Sequence, residues 1–175
     1  MEYVVLVDEQ DNEIGSMEKL QTHVEGRLHR AISVFIFNTK GELLLQQRTA
    51  GKYHSGLLWT NTCCSHPRPG EHVREAAARR LHEEMGIYCP LEEAFSFVYK
   101  ADVADGLTEY EYDHVFTGIT DDIPYPNDAE VADWNYVNRN ELQTDMDKAP
   151  EQYTAWFKIC MDKWQELLFM KNENA

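Results

Sequence analysis

The sequence has few cysteines, few cations and no long apolar run. Four cysteines among 175 residues are too few for a disulfide framework at this length, and the adjacent Cys63 and Cys64 could pair only under strain. No stretch is long enough to span a membrane, and the first residues have neither the basic start nor the apolar segment of a secretory signal. These absences predict reduced thiols and a cytoplasmic location.

Positive charge is scarce over the whole chain. Sixteen Lys and Arg stand against 31 Asp and Glu, which gives a formal net charge of −15. The negative electrostatic potential that follows from this charge disfavours binding to nucleic acid or to an anionic membrane. It does not exclude an anionic small molecule, because local cations and metal ions can dominate the field inside one site. We therefore expect a small-molecule partner; the sequence leaves protein partners and oligomeric state open.

The length and the ordinary composition, 43% hydrophobic and 27% charged, predict one domain over residues 1–175. Apolar runs bounded by turn residues predict strands at 2–8, 30–38, 41–49, 95–103, 108–120 and 132–138. The second and third runs are expected to form a hairpin. Helices are predicted from Pro69–Gly70 to Met85 and from near Pro150 onward. This order predicts an α/β fold of the α+β type, with a mixed β-sheet sandwiched between helices.

The stretch TNTCCSHPRPGEHVREAAARRLHEEMG, at residues 60–86, combines a cysteine doublet with a carboxylate-rich helix. Arg80, Glu83 and Glu84 fall within one helical turn. Adjacent carboxylates near the end of a helix repel each other, so a bound divalent cation is one natural reason for them. The other explanation is a solvated face of alternating charge, and it is the commoner one for such a pair alone.

Residues 65–87 resemble the Nudix box. The matching positions are Glu71, Arg79, Leu81, Glu83, Glu84, Gly86 and Ile87, whereas Ser65 and Arg80 replace a Gly and a Glu. Nudix hydrolases use the replaced Glu to bind metal ions that activate water. The resemblance implies a Nudix-like fold. Arg80 implies an altered reaction, because a guanidinium adds an anion clamp where a metal ligand would stand.

The segment TNTCCSHP resembles the signature of the type 1 isopentenyl-diphosphate isomerases, a family with the Nudix fold. The doublet alone is equally consistent with a buried structural cysteine beside a capping histidine. The resemblance implies that Cys64 is the catalytic thiol and that His66 binds a metal ion.

Further matches to this family lie on both sides of the doublet. His23 and His29 precede a predicted strand, and Glu109 and Glu111 alternate within another, which puts both carboxylates on one face. Alone, each pair is more often ordinary polar surface. The resemblance assembles one metal-ligand set: His23, His29, His66, Glu109 and Glu111. Three imidazoles with two carboxylates suit Zn²⁺ or Mn²⁺.

The same resemblance implies a diphosphate site with its own cation. Its binding residues are Lys19, Arg48, Lys52 and Arg80, and a Mg²⁺ ion is expected on Glu84 and the backbone carbonyl of Cys64. Trp156 falls where the family places an indole against the substrate. It also shares a helical stripe with Cys160 and Trp164, which is equally typical of a core residue.

The resemblance covers roughly residues 1–165 and implies the interconversion of isopentenyl diphosphate and dimethylallyl diphosphate. Glu111, assisted by Tyr99, is the expected proton donor, and Cys64 the group that removes a proton. Trp156 is expected to offer its π face to the developing cation.

Two other functions stay open at this point. The first is a Nudix hydrolase of a nucleoside diphosphate derivative, which Arg80, Cys64 and the Glu109–Glu111 pair count against. The second is a non-catalytic, zinc-stabilised binding module with Cys63, Cys64 and His66 as ligands. Adjacent cysteines are awkward tetrahedral ligands, and the sequence has no second C-x₂-C pair to complete the set.

Overall fold

The structure is a computed structural model that describes residues 1–173, with side chains described through Asp162 and again at Leu168 and Phe169. The strands are β1 (Tyr3–Val7), β2 (Glu13–Glu18), β3 (His29–Phe37), β4 (Leu43–Arg48), β5 (Trp59–Thr60), β6 (Cys63–Ser65), β7 (Glu92–Asp102), β8 (Thr108–Ile119) and β9 (Val131–Val137). The helices are α1 (Lys19–Glu25), α2 (Val73–Met85), α3 (Arg139–Lys148) and α4 (Ala155–Glu173), with 3₁₀ turns at Ala104–Gly106 and Pro150–Gln152. Within the described part of the chain, no helix is long and apolar enough to cross a membrane.

One mixed sheet holds the nine strands of the described residues, and β3 lies at its centre. Strand β3 runs parallel to β8, from His29 beside Glu111 to Phe37 beside Ile119. It runs antiparallel to β6, while β7 pairs with β8 and β9 pairs with β4, also antiparallel. The predicted mixed sheet of an α+β fold is confirmed.

Both faces of the sheet are covered, and each has its own apolar core. Phe35 of β3 packs in the core formed with α3 and α4, whereas its neighbours Val34 and Ile36 pack in the core formed with α2. Successive residues of a strand point to opposite faces. Because β3 is buried on both faces, most of its residues are apolar, which explains the continuous apolar run in the sequence.

The helix α2 ends where the sequence predicts but begins later. Gly86 follows Met85 with φ = +66°, and its amide donates to the carbonyl of His82, as expected of a glycine that ends a helix. The predicted start at Pro69–Gly70 is wrong, because Gly70 has φ = +81° and cannot continue a helix. The first helical residue is Val73, and the side chain of His72 accepts a hydrogen bond from the amide of Arg74.

Three other local features differ from the predictions. Strands β3 and β4 pair only at Phe37 and Leu43, because β6 and β8 take the edges of β3 while β5 and β9 take those of β4. The C-terminal helix starts at Ala155 after the 3₁₀ turn at Pro150. Strand β2 and the short helices α1 and α3 were not predicted, since none has a strong apolar period.

Candidate active site

A small cavity of about 40 Å³ opens beside the ends of β3, β6 and β8. Its walls bring together residues far apart in sequence: Lys19, Arg48, Lys52, Tyr53, His54, Cys64, Ser65, His66, Arg80, Tyr99, Glu109, Glu111 and Trp156. Ten predicted site residues are among them. The other three, His23, His29 and Glu84, are buried and do not line the cavity.

The register of the sheet assembles the five predicted metal ligands. His29 on β3 lies directly beside Glu111 on β8, and Glu109 is two residues earlier on the same face. His23 comes from α1, and His66 follows β6. One donor atom from each of the five residues can be chosen so that all lie within 4.8 Å of one another. The structure therefore brings this whole set together.

Backbone carbonyls orient two of the imidazoles. Nδ1 of His23 lies 2.7 Å from the carbonyl of Lys19, and Nδ1 of His29 lies 2.8 Å from the carbonyl of Arg27. A proton on each Nδ1 leaves Nε2 with a free lone pair, which is the usual arrangement for a metal-binding histidine. Nε2 of His29 is also 3.3 Å from Nε2 of His66. The donor set thus fits a borderline divalent ion.

Burial controls the charge of this cluster. Desolvation lowers the pKa of His66 to about 3, so its imidazole is neutral at pH 7 and able to act as a ligand. Burial and the charge of Glu111 raise the pKa of Glu109 to about 8. Burial acts on Glu111 in the same sense, but hydrogen bonds with Glu109, His29 and His66 hold its pKa well below the usual value. Of the two carboxyl groups, Glu109 is therefore the weaker acid.

Tyr99 lies beside Glu111 in the pairing of β7 with β8. Its phenolic oxygen donates to Oε2 of Glu111 at 2.7 Å, and both residues are buried. The Tyr99 hydroxyl therefore fixes one carboxylate oxygen of Glu111, while the other faces His29 and His66.

The two adjacent thiols point to opposite sides of the sheet. Cys63 is fully buried in the core beneath α2, whereas Cys64 packs against the core of α4 and lines the cavity. Strand alternation explains the difference. Because of it, the pair does not converge on one ion, which argues against the zinc-stabilised module.

The sulfur of Cys64 has a donor and an acceptor beside it. Nε1 of Trp156 donates to Sγ at 2.9 Å, and Sγ lies 2.9 Å from Oδ1 of Asn61. The amide of Asn61 donates to the carbonyls of Val34 and Cys63, so its oxygen faces the thiol. Burial, followed by the nearby charge of Asp113, raises the pKa of Cys64 to about 12. Cys64 is thus a thiol in the resting protein.

Trp156, the second residue of α4, lies both in the core and on the wall of the cavity. Its ring is buried in the core with Phe157 and Cys160, yet it also lines the cavity. The guanidinium of Arg48 lies 5.2 Å from its ring centroid. The side chain of Trp164, the third member of the predicted stripe, is outside the described residues.

Four cations also line the cavity, and three of them have carboxylate partners. Nζ of Lys19 is 2.7 Å from Oε2 of Glu2, Lys52 contacts Glu130, and Nη1 of Arg80 is 2.8 Å from Oε2 of Glu83. The fourth cation is Arg48, which donates to the carbonyl of His54. Burial and the neighbouring cations lower the pKa of Lys52 to about 8, with Glu84 acting against the shift.

Glu84 lies behind these four cations and does not line the cavity. Its side chain is buried, with Oε2 accepting a hydrogen bond from Nε2 of Gln46 at 2.8 Å and Oε1 contacting Arg80. The contact confirms the i,i+4 spacing of Arg80 and Glu84 on one helical face.

Several site residues were missed by the sequence reasoning: Tyr53, His54, Asn61, Asp113 and Glu130. Asp113 had a readable signal, because it extends the alternation of Glu109 and Glu111 by one step on the same strand. It is buried and accepts a hydrogen bond from Ser33 at 2.7 Å. The others lie in loops, where no periodicity marks a buried side chain.

The sheet, the acid-rich α2 and the cavity together define a Nudix domain. Comparison with known families matches residues 27–157 to the NUDIX domain. Among solved structures, a protein of Deinococcus radiodurans matches with a TM-score of 0.70 at 20% identity, covering 84% of this chain and 90% of that one. A MutT protein of Methanosarcina mazei matches with a TM-score of 0.64 at 19% identity, covering 84% and 94%. At these identities the structural likeness shows the fold alone.

The sequence comparison is more specific. The chain is 53% identical over 160 residues to isopentenyl-diphosphate Delta-isomerase 2 of Aromatoleum aromaticum, covering 91% of this chain and 85% of that protein. It is 52% identical over 166 residues to isopentenyl-diphosphate Delta-isomerase of Pectobacterium atrosepticum, covering 93% of each. The chain therefore belongs to the isopentenyl-diphosphate Delta-isomerase family. Nudix enzymes need a divalent metal, and the His/Glu cluster is a group able to bind one.

Proposed function

We propose that this protein is an isomerase that interconverts isopentenyl diphosphate and dimethylallyl diphosphate, moving a carbon–carbon double bond for isoprenoid biosynthesis. The observation that carries the proposal is the convergence of a thiol, Cys64, and a carboxylate, Glu111, on one small cavity with a wall of cations. A double-bond shift needs one group to add a proton and another to remove one. The names of relatives at 45–53% identity agree with this reaction.

Glu111 is the proposed proton donor; hydrogen bonds hold its pKa well below the usual value, so it must take up a proton within the loaded site before it donates one. An unactivated alkene is a very weak base, so its protonation requires an acid held close to the reacting carbon. The contacts with Tyr99 and the two imidazoles keep the carboxyl of Glu111 in one orientation. A Zn²⁺ or Mn²⁺ ion held by His23, His29, His66, Glu109 and Glu111 would supply positive charge that makes the bound carboxyl a stronger acid.

Cys64 is the proposed partner of Glu111 in proton transfer. It removes a proton as thiolate in one direction and returns it as thiol in the other. The donor Trp156 favours the thiolate, whereas the acceptor Asn61 favours the thiol, so the sulfur has a partner in each state. Its resting form is the thiol, and the thiolate must therefore form within the loaded site.

Trp156 is the proposed stabiliser of the cationic intermediate. The tertiary cation that follows protonation would react with water, and the buried indole closes one wall of the cavity against solvent. Its π face attracts positive charge by about 2 kcal/mol when water is excluded.

Lys19, Arg48, Lys52 and Arg80 are proposed to bind the diphosphate. Phosphate oxygens would replace the carboxylates now beside Lys19, Lys52 and Arg80, because they carry more charge per oxygen and accept several hydrogen bonds. Glu84 and the backbone carbonyl of Cys64 are proposed to hold a Mg²⁺ ion, which would offset the negative charge of the diphosphate. Oxygen ligands with one protein carboxylate suit this ion.

The remaining proposals concern context. We infer that residues 1–175 form one domain, that the protein works in the cytoplasm, and that neither nucleic acid nor a membrane is its partner. The net charge of −15 and the absence of a membrane-spanning helix among residues 1–173 agree with these proposals.

Hydrolysis of a nucleoside diphosphate derivative is the competing function. The structural neighbours include Nudix hydrolases, but at 14–20% identity they share only the fold. Arg80 stands where the Nudix box has a Glu, and it is paired with Glu83 and Glu84. Incubation with isopentenyl diphosphate and Mg²⁺ tests the proposal. An acid-labile allylic product supports the isomerase, whereas released phosphate with no allylic product contradicts it.

A further inference from the structure

His54 lies between Glu109 and Trp156 at the wall of the cavity. It lies on the loop between β4 and β5, is only 3% exposed and lines the cavity. Its Nε2 is 2.5 Å from Oε1 of Glu109, a candidate metal ligand. Its ring packs edge-on against Trp156, with the centroids 5.7 Å apart and the planes at 86°.

The loop holds this imidazole in a defined position. Nδ1 of His54 lies 3.0 Å from the hydroxyl of Ser55, and the backbone carbonyl of His54 accepts a hydrogen bond from Nη2 of Arg48 at 3.1 Å. Ser55 has φ = +53° and Leu57 has φ = +64°, values that non-glycine residues rarely adopt. A loop with two such residues carries conformational strain, which is typical of segments that position functional groups.

Nε2 of His54 lies beside the carboxylate of Glu109. Among the described residues it has no aligned hydrogen-bond partner, although the carboxylate of Glu109 is beside it. Oε2 of Glu109 also lacks a partner in the described part of the chain. A buried N–H next to a carboxylate gains most by donating to it, because neither group can reach water.

We propose that His54 is a positioning residue that donates its Nε2–H to Glu109 and so fixes this carboxylate for metal binding. Ser55 completes the arrangement by donating its hydroxyl to Nδ1, which keeps the proton on Nε2. Contact with Trp156 places the same imidazole against the indole, so one side chain sets the spacing between the metal cluster and the proposed cation stabiliser. The inference rests on the metal site of the proposed function.

The test is a metal-affinity measurement on metal-free protein, with Zn²⁺ titrated against a chromophoric chelator. Outer partners of metal ligands typically contribute 10- to 100-fold in affinity, so His54→Phe, which fills the space without a donor, should weaken Zn²⁺ binding by about that factor. His54→Gln keeps an N–H donor and should stay close to wild type. His82→Phe, at an exposed site on α2, is the matched control and should bind Zn²⁺ like wild type.

The isomerase rates of the same variants separate positioning from packing. His54→Phe should lower kcat while leaving KM for isopentenyl diphosphate nearly unchanged, because the carbonyl that accepts from Arg48 is retained. Unchanged Zn²⁺ affinity in His54→Phe, or an equal loss in His54→Gln, would overturn this inference and leave the proposed function intact. A wild-type protein that binds no Zn²⁺ or Mn²⁺ would instead overturn the metal site itself, and this inference with it.

Discussion

The two ends of the cavity are built differently. At the proposed metal end, His23 and His29 are completely buried and their rings are fixed by backbone carbonyls. At the proposed diphosphate end, the side chain of Lys19 is 25% exposed and its partner Glu2 is 71% exposed. This exposed ion pair contributes about 0–1 kcal/mol and exchanges easily, whereas the side chains of Lys52 and Arg80 are each only 15% exposed. The comparison indicates a rigid centre for chemistry beside a cationic wall that accepts its ligand by exchange of ion pairs.

This difference predicts where substitutions act. Changes at the buried end should lower kcat, because they disturb the position and orientation that the reacting groups need in the transition state. Changes at the cationic end should raise KM, since they remove binding that is similar in the ground state and the transition state.

Glu111→Gln is expected to have the largest effect. It removes the proposed proton donor and also weakens a proposed metal ligand, so kcat should fall by at least about 10⁴-fold. The rate of allylic product formation measures the loss. Glu92→Gln, at an exposed position on β7, is the control and should keep wild-type activity. More than a tenth of wild-type activity in Glu111→Gln would refute the assignment of the donor.

The cysteine doublet allows a comparison within one strand. Cys64→Ala should reduce kcat by roughly 10² to 10⁴-fold, the usual contribution of an acid–base group. Cys63→Ala removes a buried sulfur on the other face of β6, so it should lower stability slightly and leave kcat near wild type. Steady-state kinetics and thermal unfolding of both variants provide the data. Equal losses of kcat in both variants would contradict the assignment of Cys64, and not Cys63, as the acid–base group.

Arg80→Glu tests the cationic wall. The change restores the carboxylate of the Nudix box but places it beside Glu83 and Glu84, so it adds repulsion where the diphosphate should bind. We expect KM to rise by roughly 10²-fold, because the loss of a partly buried charge contact costs about 2–5 kcal/mol. No efficient release of phosphate should appear. A variant that hydrolyses nucleoside diphosphate derivatives would show that Arg80 alone separates the two reactions.

The smallest expected effect is a pH dependence caused by Lys52. Burial lowers its pKa to about 8, so in the free protein its positive charge is present below that pH and lost above it. The KM should therefore rise at least severalfold between pH 7.5 and 9.5, since one charge near the diphosphate is worth on the order of 1 kcal/mol even in bulk water. Lys52→Arg keeps its charge over this range and should give a flatter profile. An identical rise in both proteins would assign the dependence to another group.

The sequence predicted the residues that cluster in space better than it predicted the boundaries of the elements around them. Motif spacing brought His66, Arg80 and Glu84 into one hypothesis, and period two placed Glu109 and Glu111 on one face of β8. The sheet joins these segments because β3 lies between β6 and β8, an arrangement of long-range pairing that no local pattern encodes. The ligand set therefore required the family resemblance.

The missed residues share a physical reason. His54 and Asn61 are buried polar side chains in irregular segments, where burial depends on which parts of the chain pack over the loop. The carboxylate partners Glu2 and Glu130 are distant in sequence from Lys19 and Lys52, so only the folded chain shows that the cations are already paired. Sequence periodicity carries information about regular elements, and these contacts fall outside them.

The central claim is that this Nudix domain moves protons on carbon and leaves phosphate bonds intact. The direct test is incubation of the wild-type protein with isopentenyl diphosphate in deuterated water, followed by mass spectrometry and phosphate analysis. An alkene-protonating enzyme must exchange substrate hydrogen with solvent, so both isomers should carry deuterium and no phosphate or pyrophosphate should appear. Unlabelled isopentenyl diphosphate, together with phosphate released from nucleoside diphosphate derivatives, would contradict the account.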